Sequence, residues 1–258
     1  MFNAIYFTYD GVYSGDYGLY IASIDGEYVQ TTSVYAPTLN IAKGIKSKKF
    51  FYSGIDYEDA PEYQFSLMSQ TEIPDIARRD ILSWLVGRKG FKKLYMHQKE
   101  YFGIYYNCIF TTVDIIYVGG KCHGFTLTAK FDSPYCYGEP TQKKITLAKG
   151  VSQTIAFHNE SDVLDDYVYP MLTFSKDISI VNQSDGSRVT SYSGVETDKG
   201  EIITIDNELK IVDSTVGGDK LSNFNLNWLR FKKGINKLVI SGEGEVTISC
   251  PKYILLGF

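Results

Sequence analysis

His97, His123 and His158 are the only histidines in the chain, so near-neutral acid–base chemistry or an imidazole-bound metal has little to draw on. His158 follows the strand-like Thr154-Ile155-Ala156-Phe157 and precedes Asn159 and Glu160. Neither a serine nucleophile elbow nor a helical His-Glu-x-x-His accompanies it, and the reading is a polar strand end. His97 and His123 are solitary. Asp162, Asp165 and Asp166 offer the carboxylates that calcium takes from a flexible loop, yet the alternating Asp/Asn spacing and distal Glu of an EF-hand are missing. A solvated loop is the favoured reading. Glycoside hydrolysis needs two carboxylates brought together in space, and no spacing nominates a pair. No catalytic, cofactor-binding or metal-binding residue is therefore assigned.

Cys108, Cys122, Cys136 and Cys250 form no CxxC pair and no metal-ligand spacing. Cys250 ends the alternating stretch Val246-Thr247-Ile248-Ser249-Cys250, which predicts a small buried apolar residue in a reducing compartment. Lys46-Ser47-Lys48-Lys49 runs into Phe50-Phe51-Tyr52, either a solvated turn or the charged lip of an interface. Lys232-Lys233-Gly234 reads as a turn. Asn159-Glu160-Ser161 and Asn182-Gln183-Ser184 match the glycosylation sequon, but Met1-Phe2-Asn3-Ala4 lacks the layout of a secretory signal, so the sequons carry no weight.

The elements that must position these residues are mostly strands. Ile109, Thr111, Val113, Ile115 and Tyr117 alternate, which predicts one strand face. Gly119-Gly120 suits a tight hairpin turn, and Phe125, Leu127, Ala129 and Phe131 form the apolar face of the return strand. A second hairpin is predicted with Leu238 and Ile240 before Gly242-Glu243-Gly244, and Val246, Ile248 and Cys250 after it. A third joins Ile202–Ile205 to Leu209–Val212, with Asp206-Asn207 supplying the left-handed turn residues. One helix is predicted over 74–87: Pro74 and Asp75 suit its first turn and Gly87 its end. Ala77, Ile81, Trp84 and Leu85 make its apolar stripe, which must lie on a sheet or plug one.

Two prolines and a glycine in Asp132–Pro140 end the first hairpin, because proline cannot continue a central strand. The expected fold is mostly β. An α+β domain over 1–138 carries one helix and the long hairpin, and a β-sandwich spans 139–258.

The net charge of −4 divides equally between residues 1–140 and 141–258, leaving no basic arm to grip a phosphate backbone. No apolar run approaches the roughly 20 residues that span a bilayer. Tyrosine is in excess, at 21 residues beside 15 Phe and 2 Trp. A large ring with a polar tip suits half-buried strands and protein–protein interfaces. Composition leans towards a β-rich binding or assembly protein.

Phe7-Thr8-Tyr9-Asp10-Gly11 followed by Ser14-Gly15-Asp16-Tyr17-Gly18-Leu19-Tyr20 resembles the opening of the phage distal tail proteins, often called Dit. Ser53–Glu58, Glu62–Leu67, the helix ending Ile81–Leu85 and Phe125–Tyr135 follow in that family's order. In the second half, Ile155–Asn159, Tyr169–Phe174, Ile203–Asp206 and Leu229–Asn236 are similar to its galectin-like β-sandwich. The resemblance covers nearly the whole chain and rests on order and spacing.

What the resemblance implies is structural, not enzymatic. Such proteins form a ring, usually a homo-hexamer, at the distal end of a long non-contractile tail. The N-terminal belt domain builds the ring, docks on the major tail tube protein and holds the tail-tip hub protein. The C-terminal domain is a platform for a receptor-binding protein or side fibre. DNA passes through the lumen without specific recognition, and an even charge suits that passage. The protein would be made in the host bacterial cytoplasm and reside in the virion, with no cofactor and no membrane insertion. Cyclic assembly needs two complementary patches per subunit, for which Phe50, Phe51, Tyr52 and Tyr57 are the candidate ring-interface residues. Two departures count: no room remains for a large inserted module, and His158-Asn159 lacks the galectin His-x-Asn-x-Arg. On the residues alone, a two-domain carbohydrate-binding protein of cell-surface or cell-wall glycans and a hydrolase with unidentified carboxylates stay open.

Overall fold

The computed structural model describes residues 5–22, 38–43, 48–56, 62–163 and 166–255. The chain divides into two compact units, one running up to Cys136 with Leu255 and the other spanning Tyr137–Ile254.

The first unit contains β1 (Phe7–Tyr9), β2 (Val12–Tyr13), β3 (Leu19–Ala22), β4 (Thr38–Lys43), β5 (Phe50–Asp56), β6 (Glu62–Ser69), α1 (Asp75–Val86), β7 (Lys92–Met96), β8 (Tyr106–Val118) and β9 (Lys121–Phe131). Seven strands form one antiparallel sheet in the order β2-β1-β7-β8-β9-β6-β3, while β4 and β5 make a separate ribbon. The Ile21 N–H donates to the Ile5 carbonyl at 2.8 Å, so the last strand of the sheet comes back to the residues preceding β1. The curled sheet encloses Phe7, Leu19, Leu67, Phe125 and Leu127, all fully buried.

Gly119 and Gly120 have φ of 59° and 79°, the geometry of a two-residue turn whose twist matches its strands. The return strand buries Phe125, Leu127, Ala129 and Phe131 as expected. The outgoing strand corrects the prediction. Phe110 pairs with Ala129 and Thr112 with Thr128, leaving Thr111 as a β-bulge. One extra residue reverses the side-chain parity. Before the bulge Tyr106, Cys108 and Phe110 are buried; beyond it Val113 and Ile115 lie opposite Leu127 and Phe125. Ile109 therefore sits on the other face, and a second irregularity after Ile116 leaves Tyr117 exposed.

Helix α1 falls within the predicted 74–87, but Pro74 is its extended N-cap rather than part of the first turn, where Arg78 pairs with Asp75 at 2.8 Å. Ile81, Trp84 and Leu85 are buried. Gly87 ends it at φ −76°, so this cap is not left-handed; a Cβ there would meet the Ser83 carbonyl oxygen at 2.3 Å.

The second unit contains β10 (Cys136–Leu147), β11 (Gln153–Asn159), β12 (Met171–Phe174), β13 (Ile178–Asn182), β14 (Arg188–Tyr192), β15 (Ile203–Asp206), β16 (Ile211–Ser214), β17 (Gly234–Gly242) and β18 (Gly244–Ile254). They form a five-stranded sheet, β10-β18-β12-β15-β16, and a four-stranded sheet, β11-β17-β13-β14. Phe157, Leu172, Ile180, Phe231, Leu238, Ile240 and Ile248 are among the residues that fill the core between them. Pro140 does not end a strand: it lies within β10, an edge strand, where a missing ladder donor is tolerated.

The predicted hairpin around Gly242-Glu243-Gly244 is also corrected. β17 belongs to the four-stranded sheet and β18 to the five-stranded one, so this turn carries the chain across the sandwich. Gly242 adopts φ 147°, and a Cβ there would meet the Asp177 carbonyl oxygen at 2.5 Å. The hairpin of β15 and β16 forms as expected, but its left-handed residue is Lys210 at φ 58°. Asp206 contributes through its carboxylate, which accepts from the N–H groups of Glu208 and Leu209.

Candidate functional site

The titratable groups nominated by the sequence do not converge. His97 Nε2 lies 2.7 Å from Thr8 Oγ1, His123 is half-buried in β9, and exposed His158 is 4.0 Å from Glu160. Asp162 pairs with Lys233 at 3.0 Å, the Asp166 carboxylate accepts from the Tyr167 N–H, and Asp165 lies outside the described residues. Among the described residues, no group of three or more His, Cys, Asp or Glu meets at one point. The four cysteines form no disulfide and are buried. Burial pushes the Cys250 thiol up to about 12 and that of Cys108 higher still, removing the thiolate that nucleophilic chemistry needs.

Both sequon asparagines are buried, and their amides are committed. Asn159 and Asn236 donate to the Lys232 carbonyl at 3.2 and 2.8 Å, and Asn182 donates to that of Arg230 at 2.8 Å. Asn207 donates to Pro170 and accepts from the Leu229 N–H at 2.7 Å. Asn236 also accepts from the Lys232 N–H. Four buried side chains thus satisfy the backbone of Leu229–Lys232, a segment with few ladder bonds of its own. The sequence signal was present in the Leu229–Asn236 motif, but the amide pairing spans up to 73 residues and no local spacing reveals it.

This cage aims Arg230 outward. Its guanidinium grips Asp185 through two bonds of 2.8 and 3.2 Å and lies 3.8 Å from the Tyr167 ring centroid. Tyr167 donates to the same carboxylate at 3.2 Å. The hydrogen bonds from Arg230 hold the Asp185 carboxyl below the usual range. A second polar centre joins the loops next to β15 and β16. The buried Glu201 carboxylate accepts from Lys220 at 2.9 Å, from Ser214 at 2.5 Å and from the Glu196 N–H at 2.6 Å. These partners, Lys220 first, lower its pKa to about 2. Both arrangements are structural clamps without an open position for a reacting group.

The exposed apolar side chains are the other candidate. In the β4–β5 ribbon Ile41, Phe50 and Phe51 are exposed by 55, 63 and 59%. Lys43 Nζ sits 5.7 Å from the Phe50 ring centroid. Of the predicted interface residues, Phe50 and Phe51 are free of the core; Tyr57 and the Tyr52 side chain lie outside the described residues. Among the described residues, no helix is long and apolar enough to cross a membrane.

A family model for the phage tail protein N-terminal domain matches residues 2–133, and one for the phage tail C-terminal domain matches residues 135–250. No curated protein matches the chain. The crystal structure of the Dit protein of phage SPP1, described as a paradigm of the hub adsorption apparatus in phages infecting Gram-positive hosts, is similar in fold. The likeness covers 96% of this chain and 98% of that one, at 15% identity and a TM-score of 0.68. A chain of the phage p2 baseplate in its activated conformation is similar over 84% of this chain and 86% of that one, at 12% identity and a TM-score of 0.48.

Proposed function

The chain belongs to the phage tail protein family, and from that premise we propose that it is a structural, non-catalytic component of the tail tip. It closes into a ring, a hexamer, at the distal end of the tail tube. The first unit forms the ring and bears on the tube and on the tip hub. The second unit carries receptor-binding or side components. DNA passes through the lumen without being recognised, which suits a chain whose charge is small and evenly spread.

The observation that supports this reading best is the fold match to a hub protein from end to end of both chains. Phe50 and Phe51, with Tyr52 and Tyr57, are proposed to contact the neighbouring subunit, because a ring needs an apolar patch that is not already used by the subunit's own core.

Gold-labelled antibody against the chain, viewed on isolated tails by electron microscopy, tests the placement. Label confined to the distal tip is expected. Label along the tube, or none on tails, contradicts it.

A further inference from the structure

The outer face of the four-stranded sheet differs in chemistry from the other sheet of the same unit. Burial of Phe157, Leu238, Ile240, Ile180 and Tyr192 fixes which side chains point inward. The alternating residues then face out. Thr154, Val239, Val181 and Val189 form one row directly across the four strands. Ala156 pairs with Lys237 and His158 with Ile235 on the same face. Ile235 and Val189 are 71 and 40% exposed.

The residues of β11, β17, β13 and β14 include no Asp or Glu, although acidic residues outnumber basic ones in the chain. The opposite sheet, by contrast, carries Glu139, Asp206, Asp213 and Glu245. Glu160, just past the end of β11, is engaged by Lys252 at 2.7 Å. The face is therefore an apolar row with a cation, Lys237, beside it.

A strained residue stands at its edge. Leu226 is 57% exposed and has φ +59°, a left-handed conformation that costs a leucine about 1 kcal/mol or more. Neighbouring Asn225 holds it there, donating through its backbone N–H to the Ser191 carbonyl and through its side-chain amide to that of Val189. Those bonds also cover the outer edge of β14, so strand addition there is blocked. On this side of the sheet, contact comes through the face.

We propose that this face, with Leu226 at its margin, docks a protein partner that presents an apolar ridge flanked by acidic residues. An apolar row needs a desolvating partner, and the lack of carboxylates around Lys237 favours an acidic one. A glycan fits less well: Phe157 and Tyr192, the large aromatic residues of these four strands, are buried in the core, leaving the His158 imidazole as the one ring on this face. The inference rests on the reading of the second unit as a platform for other tail components and names the surface that it uses.

The test places a photo-crosslinking amino acid at Val181, and as a control at Thr173 on the other sheet, in the full chain during tail assembly. Crosslinking of Val181, but not Thr173, to a different tail protein is expected. Lys237→Glu should lower that yield by about fivefold without changing the thermal midpoint. If the chain is present in tails but Val181 crosslinks to nothing, to another copy of this chain, or to glycan alone, the docking proposal is overturned while the tail-tip reading stands. If the chain is absent from tails, both fail.

Discussion

The indole N–H of Trp84 donates to the carbonyl oxygen of Tyr9 at 2.9 Å, tying helix α1 to the first strand of the sheet. The same indole stacks on Phe7 and Tyr17 at centroid distances of 5.7 and 5.4 Å. One side chain thus joins residues that are 75 positions apart and anchors the helix against the curled sheet. Trp84→Phe keeps most of the stacking but removes the hydrogen bond that ties the helix to the Tyr9 carbonyl. It should cost about 2 kcal/mol in urea unfolding, and Trp84→Ala about 3–5 kcal/mol. Equal stability of Trp84→Phe and the parent would refute the tie.

The asparagine cage makes a prediction for the second unit. Asn207→Leu removes a donor from Pro170 and an acceptor from Leu229, both inside the protein. The loss should be about 2–4 kcal/mol, because each abandoned backbone group carries its own desolvation cost. Denaturant unfolding of the full chain measures it.

The Glu201 clamp predicts acid sensitivity. Its carboxyl falls from 4.5 to about 2 in the folded chain, chiefly through Lys220 and Ser214. A depressed acid stabilises fully above its unfolded pKa, so this contribution holds above pH 4.5 and is lost as the pH falls towards about 2. Glu201→Gln should therefore flatten the fall in thermal midpoint over that window. Lys220→Met should be worse than Lys220→Met combined with Glu201→Gln, since the single change strands a buried carboxylate.

The bulge in β8 predicts an asymmetry between deletions. Removing Thr111 restores an unbroken ladder and keeps Phe110 and Val113 facing the core. Removing Val113 moves Asp114 opposite Leu127 and turns Ile115 outward. The first chain should fold, with a loss of about 1 kcal/mol, and the second should not give a cooperative thermal transition.

These cases show what the sequence made legible. The helix, the Gly119-Gly120 hairpin and the apolar face of β9 follow from local spacing and turn chemistry. The bulge does not, because two adjacent threonines look alike whichever one is left unpaired. The turn at Gly242–Gly244 carries the same glycine signature whether it joins partners in one sheet or crosses to the other; only the pairing of β17 with β11 and β13 decides. Asn159 and Asn182 match sequons that carry no weight, and nothing local marks them as buried, because their partners at Lys232 and Arg230 lie far along the chain. Ion pairs such as Lys220 with Glu201 join loops and leave no period in the sequence.

Ring closure is the central claim, and the mass of the full chain in solution tests it most directly. Light scattering should give about 175 kDa for six chains of 29.1 kDa, or twice that for paired rings. The variant Phe50→Ser/Phe51→Ser/Tyr52→Ser/Tyr57→Ser should shift the mass towards that of one chain that still unfolds cooperatively. A parent chain that stays at 29.1 kDa at every concentration, and is present in tails only as single copies, would contradict the ring.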